Sequence, residues 1–247
     1  MNNRLANKVI IITGGSGLLG SCIIERAKKE GAICINFDIN QETTDDLSKV
    51  YCDVTDQGSV DAAIELVYYT FGRIDGLVNN AYPRTKDWGV HFRDIKFDSW
   101  EKNVSWQLNS YFYMSQKAIS KMEINGYGSI VNIASIYGLV GPDFSVYDNT
   151  NMTMPAAYSA IKGGLINLTR YLASYFGPQQ IRVNAVSPGG IFDQQVDSFV
   201  QQYSNKVPLR RMGTPEDISP SVTFLLSEDS KYITGQNIVV DGGWTSI

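Results

Sequence analysis

The stretch Val9-Ile10-Ile11-Ile12-Thr13-Gly14-Gly15-Ser16-Gly17-Leu18-Leu19-Gly20 decides how the rest of the chain is read. An apolar run, a glycine-rich turn and the start of an amphipathic segment follow one another without a break. The run shows no polar alternation, which suits a strand covered on both faces. From Leu18 to Lys29 apolar residues recur at helical spacing, and the pattern ends at Gly31. A glycine-rich turn between a strand and a helix lets the backbone approach a pyrophosphate. The helix N-terminus then presents N–H groups and the positive end of its dipole to that charge. Gly14, Ser16, Gly17, Leu18 and Leu19 are therefore candidate phosphate-binding residues. A glycine-rich turn alone is a weak signal, and the strand–turn–helix setting strengthens it.

The next apolar run, Ala32–Phe37, ends at Asp38, about 18 residues past Gly20. A carboxylate there can accept hydrogen bonds from both adenosine ribose hydroxyls, and it would repel a 2′-phosphate. No Arg or Lys stands in the turn or directly after Asp38, so NAD(H) is expected in preference to NADP(H). Asp53-Val54 closes a third run and Asn79-Asn80-Ala81 a fourth. Asp53 and Val54 are candidates for the adenine end, Asn80 and Ala81 for the ribose.

Further along, apolar runs and helical patterns keep alternating. Lys49–Cys52, Asp75–Asn79, Ser129–Ala134, Ile181–Ser187 and Ile238–Val240 read as strands. Val60–Phe71, Pro155–Phe176 and Pro215–Leu226 read as helices, with Pro155 placed in a first turn. Trp100–Met122 reads as one long helical stretch or two in succession. This alternation predicts α/β class: a single-domain Rossmann-type, doubly wound parallel sheet with helices on both faces, spanning residues 1–247.

The totals remove other classes. Of 247 residues, 43% are hydrophobic and 19% charged, which excludes a disordered chain, and the net charge of −4 comes without a basic block. Neither nucleic acid nor a membrane surface is an expected partner. Three cysteines, Cys22, Cys34 and Cys52, form no CxxC pair and read as buried free thiols in a reducing compartment. Met1 to Lys8 is short and polar, and Val9–Ile12 is too brief for a signal peptide, so a cytoplasmic location is expected. The single histidine, His91, lies in a polar stretch and reads as a solvated loop residue; no metal site is expected.

Tyr158-Ser159-Ala160-Ile161-Lys162 carries the chemistry. Tyrosine and lysine at i and i+4 share a helix face, and an ammonium near a phenol lowers the phenol pKa. Such a tyrosine exchanges a proton with a hydroxyl or carbonyl near neutral pH, as hydride transfer to a nicotinamide requires. The same spacing recurs at Tyr113 and Lys117. Only Tyr158 lies between strands ending in Asn132-Ile133-Ala134-Ser135 and Ser187-Pro188-Gly189.

With these residues in order, the chain resembles the short-chain dehydrogenase/reductase family, short branch, over nearly its whole length. The resemblance rests on the Thr13–Gly20 turn, Asp38, Asp53-Val54, Asn79-Asn80-Ala81, Ser135, the Tyr158/Lys162 pair, Asn184, Pro188-Gly189, Ile233-Thr234-Gly235-Gln236 and Asp241-Gly242-Gly243. It implies that Tyr158 is the general acid/base, and that Lys162 holds the nicotinamide ribose and lowers the tyrosine pKa. It also implies that Ser135 binds the substrate oxygen, and that Pro188, Gly189 and Ile191 pass the nicotinamide amide. A homodimer or homotetramer through the long helices near 100–122 and 155–176 is implied as well.

The chain departs from the family pattern in four places. Its glycines stand at 14, 17 and 20, with Leu18 where the middle glycine is usual, a spacing similar to the epimerase-type branch. Tyr82 replaces the glycine usual after Asn-Asn-Ala. Gln107 falls where the family has a catalytic Asn, with Asn109 a substitute only if the helix shifts register. The gap from Ser135 to Tyr158 is about twice the usual one. The surplus, residues 138–154, is an insertion expected to line or cover the substrate site. With Tyr82-Pro83-Arg84 it resembles, more loosely, oxidoreductases of flagellin-modification and surface-sugar pathways. That likeness implies a sugar or sugar-nucleotide substrate, with Arg84, Lys86 and Arg93 as candidate receivers of a phosphate or carboxylate.

Three activities fit these residues. The first is an NAD(P)-dependent oxidoreductase acting on an alcohol or carbonyl of a polar small molecule. The second is an epimerase or dehydratase that retains its cofactor, although the chain lacks the extra C-terminal length such enzymes use. The third is a non-enzymatic NAD-binding sensor, which would have no need of Ser135, Tyr158 and Lys162 together.

Overall fold

A computed structural model describes residues 3–247. Among these residues the apolar runs become β1 (Val9–Thr13), β2 (Ile33–Asp38), β3 (Lys49–Tyr51), β4 (Gly76–Asn79), β5 (Gly128–Ile133), β6 (Ile181–Pro188) and β7 (Asn237–Val240). They form one sheet in the order β3-β2-β1-β4-β5-β6-β7, with every neighbouring pair parallel. The order reverses between β1 and β4, and in open α/β sheets ligands bind at the carboxyl ends of strands beside such a reversal.

Alternation along β1 explains why the run tolerates no polar residue. Val9 and Ile11 enter a core shared with α2 (Gln57–Phe71), α4 (Ser110–Asn125) and α5 (Ala156–Phe176). Ile10 and Ile12 enter a second core, on the opposite face, shared with α1 (Leu18–Lys29) and α7 (Pro215–Leu226). Each such side chain contributes about 1.5–3 kcal/mol by leaving water, so both faces hold the sheet between helix layers. Among the described residues no helix is long and apolar enough to cross a membrane.

Several boundaries differ from the sequence reading. The second helix begins at Gln57, because the Asp56 carboxylate accepts the Ser59 N–H at 2.6 Å and caps it. Pro155 is extended, with ψ 131°, and stands just before α5 rather than in its first turn. The Trp100–Met122 stretch is three pieces: α3 (Phe97–Val104), a π-helical turn (Ser105–Asn109) and α4. The chain also forms α6 (Asp197–Lys206), unanticipated although Phe199, Tyr203 and Val207 recur every fourth residue and are all buried.

Candidate active site

The first half of the site is a cleft of about 530 Å³ beyond the ends of β1, β2, β3 and β4. It is lined by Gly14, Ser16, Gly17, Leu18, Leu19, Asp38, Asp53, Val54, Asn80 and Ala81, so the structure brings together every sequence candidate for the adenosine and phosphate end. The turn is tight. Gly14 sits at φ +64°, and a Cβ there would meet the Ala81 Cα at 2.9 Å. A Cβ on Gly20 would meet the Gly14 carbonyl oxygen at 2.3 Å and the Gly15 Cα at 2.7 Å. Gly17, by contrast, is extended backbone at φ −77°, ψ 172°, and Leu18 begins α1, so the shifted middle glycine leaves the turn without strain. The first N–H groups of α1 lie outside the helical ladder and border the cleft at Leu18 and Leu19.

Asp38 is buried at the cleft wall. One of its oxygens accepts the Ser16 N–H at 3.1 Å and the other the Asn40 N–H at 2.9 Å. A carboxylate offers about four acceptor positions, so it retains capacity for a diol. Thr13 Oγ1 accepts the N–H groups of Asn80 and Ala81 at 2.9 and 3.0 Å, locking β4 to β1. These features, a backbone cradle that a Cβ would fill and a carboxylate with free acceptor capacity, fit a nicotinamide dinucleotide. Arg84 also borders this cleft, its guanidinium 5.6 Å from the centre of the Tyr82 ring.

The second half is a cavity of about 390 Å³ beyond β5 and β6 that shares Leu19, Asn80 and Tyr82 with the cleft. Ser135, Tyr158, Lys162, Pro188, Gly189 and Ile191 all line it. Lys162 is 4% exposed, and its ammonium donates to the Ile133 carbonyl at 2.6 Å. Burial depresses its pKa to about 7. Here the sequence expectation needs correction: the Tyr158 pKa lies above, not below, the usual phenol value. Burial raises it, and a hydrogen bond with Ser135 opposes the rise. The reason is geometric, since Nζ points to a carbonyl and lies 5.5 Å from the centre of the Tyr158 ring.

Gln107 lies within the π-helical turn, 1% exposed, and neither its amide nitrogen nor its amide oxygen has a hydrogen-bond partner in the protein. Asn109 is exposed and donates to Ser105, so it is no substitute for Gln107. Tyr113 and Lys117 both bind Asp61 of α2, which ties α4 to α2 and gives that second copy a structural task. Asn184 is likewise structural, bridging Gln236 N and Ile233 O. Lys86, Arg93 and His91 are exposed and line neither space. Of the three cations considered for a substrate anion, only Arg84 borders the site, and it does so on the dinucleotide side.

The 138–154 insertion lines the cavity as expected, whereas the part played by α6 and by the approach of Tyr82 was missed. Tyr82 packs edge-on against Trp88 and Tyr158, with centroids 5.6 and 5.7 Å apart. Phe199 and Tyr203 of α6 line the cavity, as do Tyr147, Met152, Thr153 and Met154 of the 138–154 segment. The fourfold spacing in α6 was a readable signal; the approach of Tyr82 to Tyr158 was not, because it joins distant segments.

Comparison with known proteins agrees with this architecture. A family model described as enoyl-(acyl carrier protein) reductase matches residues 17–245. Post-translational flagellin modification protein A of Campylobacter coli is 33% identical over 97% of this chain and 99% of its own length. The 7alpha-hydroxysteroid dehydrogenase of Bacteroides fragilis is 34% identical over 98% of this chain and 96% of its own. A short chain dehydrogenase from Leptospira borgpetersenii, solved with bound NAD+, superposes with a TM-score of 0.90 at 34% identity, covering 98% of this chain and 94% of that one. The chain is therefore an oxidoreductase of the short-chain dehydrogenase/reductase family, acting on CH–OH groups.

Proposed function

We propose that this protein interconverts a secondary alcohol and its ketone with NAD(H) as the preferred cofactor. The observation that carries the reading is the meeting of the acidic, glycine-lined cleft with a cavity that holds Ser135, Tyr158 and Lys162. Oxidation of a CH–OH group removes a hydride from carbon and a proton from oxygen. Bound nicotinamide supplies the hydride acceptor, or the donor in the reverse direction. Tyr158 takes the proton at its phenol oxygen, or returns it, and the Ser135 hydroxyl holds the same substrate oxygen. Lys162 would hold the nicotinamide ribose, and its ammonium beside the phenol would oppose the rise that burial imposes on the Tyr158 pKa. Gln107, buried with both amide atoms free of protein partners, is absent from the cavity lining and would join the proton path only through a water that it holds. Gly14, Ser16, Gly17, Leu18 and Leu19 hold the pyrophosphate, Asp38 the adenosine ribose, Asp53 and Val54 the adenine, Asn80 and Ala81 the second ribose, and Pro188, Gly189 and Ile191 the amide.

The sugar expectation draws support from the relative named for flagellin modification. A charged sugar nucleotide draws none from the cavity, where Arg84, Lys86 and Arg93 are absent from the lining. Assembly into a dimer or tetramer through α4 and α5 belongs to the same reading, supported by exposed Phe112, Tyr171 and Tyr175 on those helices. The test of the cofactor claim is titration of wild type and Asp38→Ala with NADH and NADPH, followed by nicotinamide fluorescence. NADH should bind at least about tenfold more tightly to wild type, and the variant should narrow the gap. Tighter NADPH binding by wild type would show that Arg84, not Asp38, governs the ribose end.

A further inference from the structure

The cavity at Ser135 and Tyr158 is poor in charge and mostly apolar, with Asn80, Thr153 and Gln195 among its polar lining. Tyr137, Tyr147, Met152, Met154, Phe199 and Met212 supply much of its wall. Among the described residues lining it, Lys162 is the one charged side chain, and that amine is already engaged by the Ile133 carbonyl. Two of the methionines come from the 138–154 insertion, which is pinned to α6. Lys206 pairs with Asp143, Gln202 donates to the Asp148 carbonyl at 3.0 Å, and the Tyr147 and Phe199 rings pack 5.2 Å apart. The insertion is thus a built wall, and it brings thioethers to the space above the reacting groups.

Resting on the assignment of Ser135 and Tyr158 above, we infer that the substrate is an uncharged ketone or secondary alcohol on an apolar ring skeleton, selected by Met152 and Met154. A carboxylate or phosphate in this space would lose its water against thioethers and aromatic rings with no free cation to pair with it. A hydrophobic ring gains on both counts: aromatic walls favour edge-on and stacked contacts, and methionine adapts its shape to the surface it meets. Part of the about 390 Å³ belongs to the nicotinamide end at Pro188, Gly189 and Ile191, which leaves the side walled by Met152, Met154 and Phe199 to the substrate.

The test uses the full-length enzyme loaded with NADH and a matched pair of ketones, 4-phenylcyclohexanone and 4-(4-oxocyclohexyl)benzoate, which differ only in a carboxylate. D-glucose serves as the polar, uncharged comparison. Binding is read by tryptophan fluorescence, since Trp88 lies 6.3 Å from the Tyr158 ring. The neutral ketone should bind at least about tenfold more tightly than either of the others. Met154→Lys should reduce or invert the preference within the matched pair, and Met152→Ala should weaken the neutral ketone without helping the benzoate. Equal affinities within the pair, tighter binding of the benzoate or of glucose, or no binding of the neutral ketone would overturn the inference. Reduction of the bound ketone is measured separately: the expected binding order without turnover counts against the chemistry given to Ser135 and Tyr158, and leaves the selectivity standing.

Discussion

Replacing Lys162 by methionine separates the cost of burying an amine from its use. The wild-type side chain is 4% exposed, with the Ile133 carbonyl 2.6 Å away, and its pKa falls from 10.5 to about 7. At 1.36 kcal/mol per pH unit, that difference corresponds to about 5 kcal/mol of stability given up to hold the proton in the fold. The rings of Tyr82, Tyr111 and Tyr158, centred 5.8, 5.3 and 5.5 Å from Nζ, favour the ammonium and make this figure a ceiling. The sign follows from proton counting. Between about pH 7 and pH 10.5 the unfolded chain binds the lysine proton and the folded one does not, so this group makes stability rise with pH. Below about pH 7 both states bind it and the full cost is present. Urea unfolding of wild type and Lys162→Met, from about pH 6 to about pH 9.5, isolates the group because the other titrations cancel in the difference. The variant should gain most over wild type at the acid end, by up to several kcal/mol, and the gain should shrink as pH rises. A stability difference that stays constant across this range would falsify the reasoning, because the amine would then titrate as it does in water. NADH-dependent turnover should be lost in the variant at every pH.

Gly20→Ala places a methyl group 2.3 Å from the Gly14 carbonyl oxygen. The turn must open, so NADH affinity should fall by at least about tenfold in fluorescence titration while circular dichroism stays native. Unchanged affinity would mean that the turn does not hold the pyrophosphate. Gln107→Leu removes both unpartnered amide atoms from the π-helical turn. It should leave thermal stability equal or higher and lower kcat by about tenfold or more. Full activity in that variant would remove Gln107 from the proton path.

Much of this molecule is legible in its sequence. Seven strands of one parallel sheet could be read as apolar runs, most clearly the central ones covered on both faces, whereas edge strand β3 exposes Lys49 and Tyr51. The dinucleotide cleft was legible for a related reason. Its residues come from short turns at strand ends, and a glycine required by a close backbone approach leaves a mark in the chain itself. The Tyr158/Lys162 pair was legible because one helix turn joins the two residues.

What lay beyond reach depends on segments far apart in the chain. The spacing of Tyr158 and Lys162 suggests a lowered phenol pKa, yet burial dominates and the lysine amine turns to Ile133. Desolvation depends on everything packed around a group, and no local pattern records it. The cavity wall follows the same logic. Tyr82 meets Tyr158 across segments far apart in the chain, and Met152 and Met154 line the cavity beside α6, to which the insertion is tied through Asp143, Asp148 and Tyr147. The fold and the candidate cofactor cleft are written in local periodicity and turns, whereas the polarity of the cavity beside Ser135 and Tyr158 arises where distant segments exclude water together.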